Sequence, residues 1–247
     1  MKNVSMFVFQ LMQFWMCLRT GQLKADVTKK SGTRQSMDQF RYLFNTTRIP
    51  QQDEDVLRHY WKPENEETAN EVPKHAIVLR NGHTFLYHPM KKDGQELKDP
   101  QEIEMDLGKI KAHADAKKTG PGVAALTCDR RERWAQNRIH LMKSNAASLD
   151  LIESAMFVIV LDEEKPSSDS ECCWSLMAGN PSNRWADKSL QVIVFDNGRG
   201  GVNSDHSPMD AVIFFFKKKV LKLKKNFCFF ADGERGHVTL YRFRGQR

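Results

Sequence analysis

The chain has no cysteines spaced for a metal ion and no even set that could form a disulfide framework. Its five cysteines, at 17, 128, 172, 173 and 228, include an adjacent pair but no Cys-x-x-Cys. A reducing compartment follows, with no metal among the expected ligands. Also missing is a run of roughly 20 apolar residues, the length a membrane-spanning helix requires. The first apolar stretch, Val4 to Leu18, is shorter than that, is broken by Gln10 and Gln13, and lacks a small-residue cleavage site. No transmembrane segment is expected there. The chain ends Gly245-Gln246-Arg247, so no Ser-Lys-Leu tripeptide is present and no targeting signal is visible. There is no internal repeat.

Most of the chain also lacks basic charge. The net charge is +7, yet residues 212–247 hold ten Lys and Arg against Asp232 and Glu234, a balance of +8 that leaves −1 for everything before them. A body so close to neutral is unlike a protein built to follow phosphates, and nucleic acid is not an expected partner.

What is present is enough for a core: 247 residues, 40% hydrophobic and 10% aromatic. Phe7, Leu11, Phe14, Trp15 and Leu18 recur at spacings of three and four, which predicts a buried helix. Glu64 to Val72 is polar and flanked by proline, a surface loop. His75–Arg80 and His83–His88 are β-rich runs joined by Asn81-Gly82, a strong hairpin signal. A metal site at His75, His83 and His88 is conceivable, but their irregular spacing, with no cysteine or paired acid nearby, reads as solvated strand histidines. Asp99-Pro100-Gln101-Glu102 predicts a capped helix continuing through Ile103, Leu107, Ile110 and Ala114. After Gly120-Pro121-Gly122 the sequence predicts a strand from Val123 to Thr127. A helix capped by Asp129 and Glu132 should carry Trp134, Arg138, Leu141 and Met142, and a separate helix should follow around Ala147 to Ser154. Then come a strand at Met156–Leu161, a polar loop at Asp162–Ser170, a short helix to Met177 and a strand from Leu190. Alternating strands and helices imply an α/β fold with helices packed on a sheet.

The segment Leu190–Asp210 places His206 just past an apolar strand and a glycine-rich turn. Imidazole titrates near neutral pH, so a histidine held at the end of a rigid element can accept a proton from a hydroxyl or thiol. Asp210, four residues on, could orient the ring or brace the turn. With 8 histidines and 31 acids, about one such His-x-x-x-acid match arises by chance. The weight therefore rests on context. Ser204, Asp205 and Ser207 flank His206 and could line a pocket. Cys128, Cys172 and Cys173 carry no motif and read as ordinary thiols.

That context is a series of blocks: Phe14-Trp15, Leu18-Arg19-Thr20-Gly21, Met37 to Phe44 with Thr47-Arg48-Ile49-Pro50, Gly120 to Thr127, Arg133-Trp134-Ala135, Asn183-Arg184-Trp185 with Asp187-Lys188, and Asp205-His206-Ser207-Pro208-Met209-Asp210. In this order and spacing, over roughly residues 10–213, the chain resembles the choline/carnitine O-acyltransferase family. The Gly-Pro-Gly block and the Asp-His-x-Pro-x-Asp-Ala form resemble its peroxisomal, octanoyl-transferring branch. The resemblance implies an α/β, coenzyme A-dependent acyltransferase fold like chloramphenicol acetyltransferase: a mixed sheet with flanking helices, two related domains, and the catalytic histidine in a tunnel between them. It implies reversible transfer of an acyl group, of medium chain length, between coenzyme A and the carnitine hydroxyl, with His206 as general base and Asp210 as an orienting acid. Acyl-CoA and carnitine are then substrates, no bound cofactor or metal is expected, and the protein is a monomer of the peroxisome, mitochondrion or cytoplasm. For Arg184, Trp185, Asp187 and Lys188 a structural role beside the active-site strand is expected.

The resemblance also implies a longer protein, whose carboxyl-terminal half carries the coenzyme A contacts, the carnitine-carboxylate contacts and a Ser-Thr-Ser motif. On that comparison residues 1–213 form a partial acyltransferase domain with the catalytic histidine. Residues 214–247 form a basic, aromatic tail foreign to the family, aberrant or disordered. Its narrow composition from Phe214 to Phe230 resembles a translated intron. The alternative physical reading is a stretch that binds a membrane surface or nucleic acid. The competing functional expectation is a catalytically inactive truncated member, at most an interaction module.

Overall fold

A computed structural model describes residues 1–28 and 30–210, together with the backbone of two further strands, Phe227–Asp232 and Thr239–Arg242. The fold is mixed α/β. In chain order the elements are α1 (Lys2–Arg19), β1 (Thr46–Ile49), β2 (Val56–His59), β3 (Ala76–Arg80), β4 (His83–Tyr87), α2 (Pro100–Asp115), α3 (Arg131–Ser154), β5 (Val158–Asp162), α4 (Asp169–Ala178), β6 (Gln191–Phe195), β7 (Gly200–Asp205), β8 (Phe227–Asp232) and β9 (Thr239–Arg242). A seven-stranded sheet runs β4-β3-β5-β6-β7-β8-β9, and β1 pairs with β2 in a separate ribbon. The pairs β3–β5, β5–β6 and β7–β8 are parallel; β3–β4, β6–β7 and β8–β9 are antiparallel. The strands β8 and β9 lie inside the tail set apart by its sequence, and the rest of that tail lies outside the described residues.

Strand alternation sorts the core into two layers. Val78, Ile159 and Val192 face α1 and α2, where Phe7, Leu11, Phe14, Trp15, Ile103 and Leu107 cover them. Ile77, Leu79, Val158, Val160, Ile193 and Phe195 face the opposite side, under Trp134, Leu149, Ile152, Cys172, Leu176 and Trp185. Every residue of β3, β5 and β6 is buried, which is why these strands read as near-continuous apolar runs.

The predicted helix at α2 forms with a complete capping box. The Asp99 side chain accepts from the Gln101 and Glu102 N–H groups, and the Glu102 carboxylate accepts from the Asp99 N–H. The Asn81-Gly82 hairpin forms as well, both residues at positive φ (49° and 69°) as a two-residue turn of this hand demands.

Four expectations need correction. Val123–Cys128 is a 3-10 helix rather than a strand, because Gly122 at φ 63° turns the chain and Ala-Ala-Leu has little strand preference. The two helices expected between 129 and 154 form as the two segments of α3, which meet at a non-helical Asn145 (φ −129°, ψ 22°), but Asp129 does not cap the first, its carboxylate instead accepting from the Arg130 N–H and facing Arg133. The glycine-rich segment before His206 is only partly a turn: Gly200 and Gly201 open β7, and Gly200 packs so closely on Ile193 that an added Cβ would lie 2.4 Å from its carbonyl oxygen. Finally, His75 is buried, not solvated, and its ring lies 2.7 Å from the Leu151 carbonyl at the end of α3.

Candidate functional site

The carboxyl ends of the parallel strands β3, β5 and β6, the usual ligand crevice of an open α/β sheet, carry ion pairs here. Arg80, at the end of β3, meets Asp115 at 2.7 Å and Asp196 at 3.0 Å, and Lys111 joins both acids. His206 sits at the opposite end of the sheet, because β7 runs antiparallel to β6 and ends where its neighbour begins. The ribbon strand β1 reaches the same end, with Thr47 bridging to Lys188 and the Ser189 N–H donating to the Thr46 carbonyl.

The His206 turn is fastened on both sides. Before it, the Asp205 carboxylate accepts from the Ser207 N–H at 3.1 Å and from the Ser207 hydroxyl at 2.6 Å, closing a short Asx-type turn around the histidine. After it, Met209 is buried in the core layer shared with α1, and the Asp210 N–H donates to Gln39 Oε1 at 3.0 Å. The imidazole itself opens outward, with 37% of its side-chain surface exposed. Its Nε2 lies 3.9 Å from Asp210 Oδ1, close enough for charge attraction and too far for a hydrogen bond.

Beneath the turn lies a charged cluster. Asp187 is buried, and its carboxylate accepts from Arg131 Nη1 at 2.7 Å and from the Trp134 indole N–H at 2.7 Å, with Arg48 Nε at 3.5 Å. Burial pushes this carboxyl above the usual carboxylate range, opposed by both guanidiniums and the indole. Arg48 also lies 3.3 Å from Asp55 and 3.9 Å from Asp205 and donates from Nη1 to the Ser207 hydroxyl at 3.3 Å. Burial opposes the Arg48 charge, and Asp205, Asp187 and Asp55 outweigh it, so the guanidinium pKa is raised.

The rest of the Asn-Arg-Trp-x-Asp-Lys block is interior scaffold. Arg184 joins Asp162 at 2.6 Å and the Ser175 carbonyl at 2.8 Å, and Trp185 packs edge-on to Trp134. Lys188 is wholly buried and donates to the Glu153 and Ala155 carbonyls at the end of α3; burial lowers its pKa to about 7, with Glu153 pulling the other way.

Beside the turn is a cavity of about 520 Å³ walled by Arg48, Arg131, Arg184, Gln191, Asn203 and Asp205 among others. Of the three residues that flank His206, Asp205 lines it, Ser204 is buried with its hydroxyl on the Ser189 carbonyl, and Ser207 is exposed. Cys128 is exposed at the cavity, whereas Cys172 and Cys173 are buried residues of α4. No group of three His, Cys, Asp or Glu side chains among the described residues is arranged to hold a metal ion, and no described helix is long and apolar enough to cross a membrane.

A sequence model of the Choline/Carnitine o-acyltransferase family matches residues 1–226. The chain belongs to this family. Among its relatives, the peroxisomal carnitine O-octanoyltransferase of Bos taurus is 35% identical over 216 residues, which is 85% of this chain and 34% of that protein. The Homo sapiens protein of the same name is 33% identical over the same length. The muscle isoform of Homo sapiens carnitine O-palmitoyltransferase 1 is 38% identical over 188 residues, or 71% of this chain and 22% of that protein. The chain thus spans about a third of the length of the octanoyltransferases it matches.

Arg48, Gln39, Asp55 and Met209 gather around the His206 turn without any signal that would have assigned them a role there. Arg48, Gln39 and Met209 belong to family-like blocks, yet nothing local says that the Arg48 guanidinium reaches Ser207, 159 positions away.

Proposed function

We propose that this chain carries the base-bearing part of an acyltransferase that moves an acyl group between coenzyme A and the hydroxyl of carnitine. What carries the reading is a histidine on a turn fastened at both ends, with its ring open outward, in a member of this acyltransferase family. His206 takes the proton of the carnitine hydroxyl as that oxygen attacks the thioester carbonyl. The tetrahedral adduct then collapses, and the departing thiolate receives the proton from the imidazolium. In reverse, the same base takes the coenzyme A thiol proton. No acyl-enzyme forms, and the base contributes roughly 10² to 10⁴ in rate. Asp210, 3.9 Å from Nε2, orients the ring. The octanoyltransferase relatives favour a medium acyl chain. The mixed sheet with helices on both faces fits a chloramphenicol acetyltransferase-like domain facing a related one across a tunnel.

A second reading, a chain without activity of its own, is favoured by the span of 34% of the octanoyltransferase relatives. General-base catalysis depends on both substrates being positioned, and that positioning supplies a large share of the rate. The test is a thiol-release assay with octanoyl-CoA and carnitine, on this chain and on a version extended to the relatives' length, each with and without His206→Ala. Transfer is expected in the extended protein, falling at least about 100-fold on substitution, with little or none in the shorter chain. Activity that survives His206→Ala in the extended protein would remove the base assignment.

A further inference from the structure

We infer that Arg48 is a positioning residue that sets the bearing of the His206 ring by tying its turn to the buried Asp187 cluster. The inference rests on the proposed role of His206 and deepens it. The connection is continuous and has one direction of donation. Arg48 Nη1 donates to Ser207 Oγ at 3.3 Å, and the Ser207 hydroxyl donates in turn to Asp205 Oδ1 at 2.6 Å. His206 is the residue enclosed between those two side chains. Arg48 is itself held: its backbone N–H donates to the Asp187 carbonyl at 2.8 Å, and its Nε faces Asp55 at 3.3 Å and Asp187 at 3.5 Å. Asp187 is fixed from below by Arg131 and Trp134, each at 2.7 Å. The bonds at the buried Asp187 end are charge-assisted and sheltered from water, the stronger kind, and the exposed Ser207 link carries their hold to the turn.

The charges make Arg48 hard to replace. It faces Asp55, Asp187 and Asp205, and Arg131 faces only the first two; a neutral side chain leaves Asp55 and Asp187 to Arg131 and takes the guanidinium away from Asp205. Met209 and the Gln39 bond still hold the far end of the turn. Loss of Arg48 should therefore redirect the ring rather than melt the segment.

The test follows the histidine ring signals by NMR in this chain, with His206 assigned by comparison with His206→Ala. Arg48→Gln is expected to move the His206 resonance while the other ring signals stay, since the tie from Arg48 to Ser207 is lost. Arg48→Lys, which keeps a donor and the charge, should return the resonance toward its original position. Ser207→Ala, which leaves every charge in place, should move the His206 resonance while the other ring signals stay, and it decides the matter if Arg48→Gln does not fold. In the extended protein, Arg48→Gln should lower kcat about 10-fold or more with little change in KM. A His206 signal unmoved in both Arg48→Gln and Ser207→Ala, or moved only along with all the others, would overturn the inference. Transfer that persists in His206→Ala while Arg48→Gln still moves the signal would defeat the base assignment and leave the positioning role standing.

Discussion

At the scale of single residues, two histidines outside the site make stability depend on pH. His59 is held against Thr46 at 2.9 Å, and its pKa is lowered to about 4, first by burial and then by Arg41, with Asp38 opposing. His75 is lowered too, chiefly by burial, against the Leu151 carbonyl. Between about pH 4 and pH 6.5 the unfolded chain binds protons at His59 that the folded chain refuses, so stability rises with pH across that window and is lost as pH falls through it. The urea midpoint is expected to drop from pH 7 to pH 4.5, and His59→Gln should make that drop smaller. An unchanged pH slope in the variant would mean that the ring is hydrated in the folded state. No sequence signal separates the half-buried His59 and the buried His75 from the exposed His88, since all three lie beside similar β-rich runs. Burial of a polar residue is decided by what packs over it from far along the chain.

Among the elements, the hairpin and the capped helix α2 were legible because short-range chemistry determines them: positive φ at Asn81-Gly82, and reciprocal bonds between Asp99 and Glu102. The segment from 120 to 128 was not, because its conformation answers to the hairpin tip. The Gly120 N–H donates to the Asn81 carbonyl at 2.8 Å and the Gly122 N–H to the Gly82 carbonyl at 3.0 Å, so the Gly-Pro-Gly block is a backbone docking joint. A Cβ on Gly120 would lie 2.5 Å from Gly82 O, a clash with backbone that no rotamer relieves. Gly120→Ala should therefore cost about 1–3 kcal/mol. Gly108, inside α2, is the counterpart: a Cβ there meets nothing within 4 Å, and Gly108→Ala should stabilise by about 0.5–1 kcal/mol through helix propensity alone. Denaturant midpoints of the two variants should move in opposite directions; a shift of the same sign would show that the joint between the loop and the hairpin is loose.

For the whole molecule, the order of the blocks carried the family and with it the mixed sheet, and the strand–helix alternation carried an α/β sheet with packed helices, whereas the cluster under His206 stayed hidden. That cluster draws one residue each from β1, the β1–β2 connection, the start of α3, the loop before β6 and the end of β7, and apart from the neighbouring Arg48 and Asp55 its members lie far apart along the chain. Charge distribution, by contrast, is fully legible. Residues 212–247 hold +8 of a net +7, and the remainder is −1. If the two parts behave as their charges dictate, the complete chain should bind a sulfonate matrix at pH 7 and low salt, and residues 1–210 should pass through. Retention should weaken steeply with added salt, as screening shortens to about 10 Å near 0.1 M. The same comparison on anionic and neutral vesicles separates a general polycation from a surface-seeking tail: a polycation loses both the matrix and the anionic vesicles as salt rises, whereas insertion of Phe214–Phe216 and Phe227–Phe230 would keep the vesicles at salt concentrations that release the matrix. Retention of residues 1–210 on the matrix would instead place a basic surface on the acyltransferase body, against its near-neutral charge.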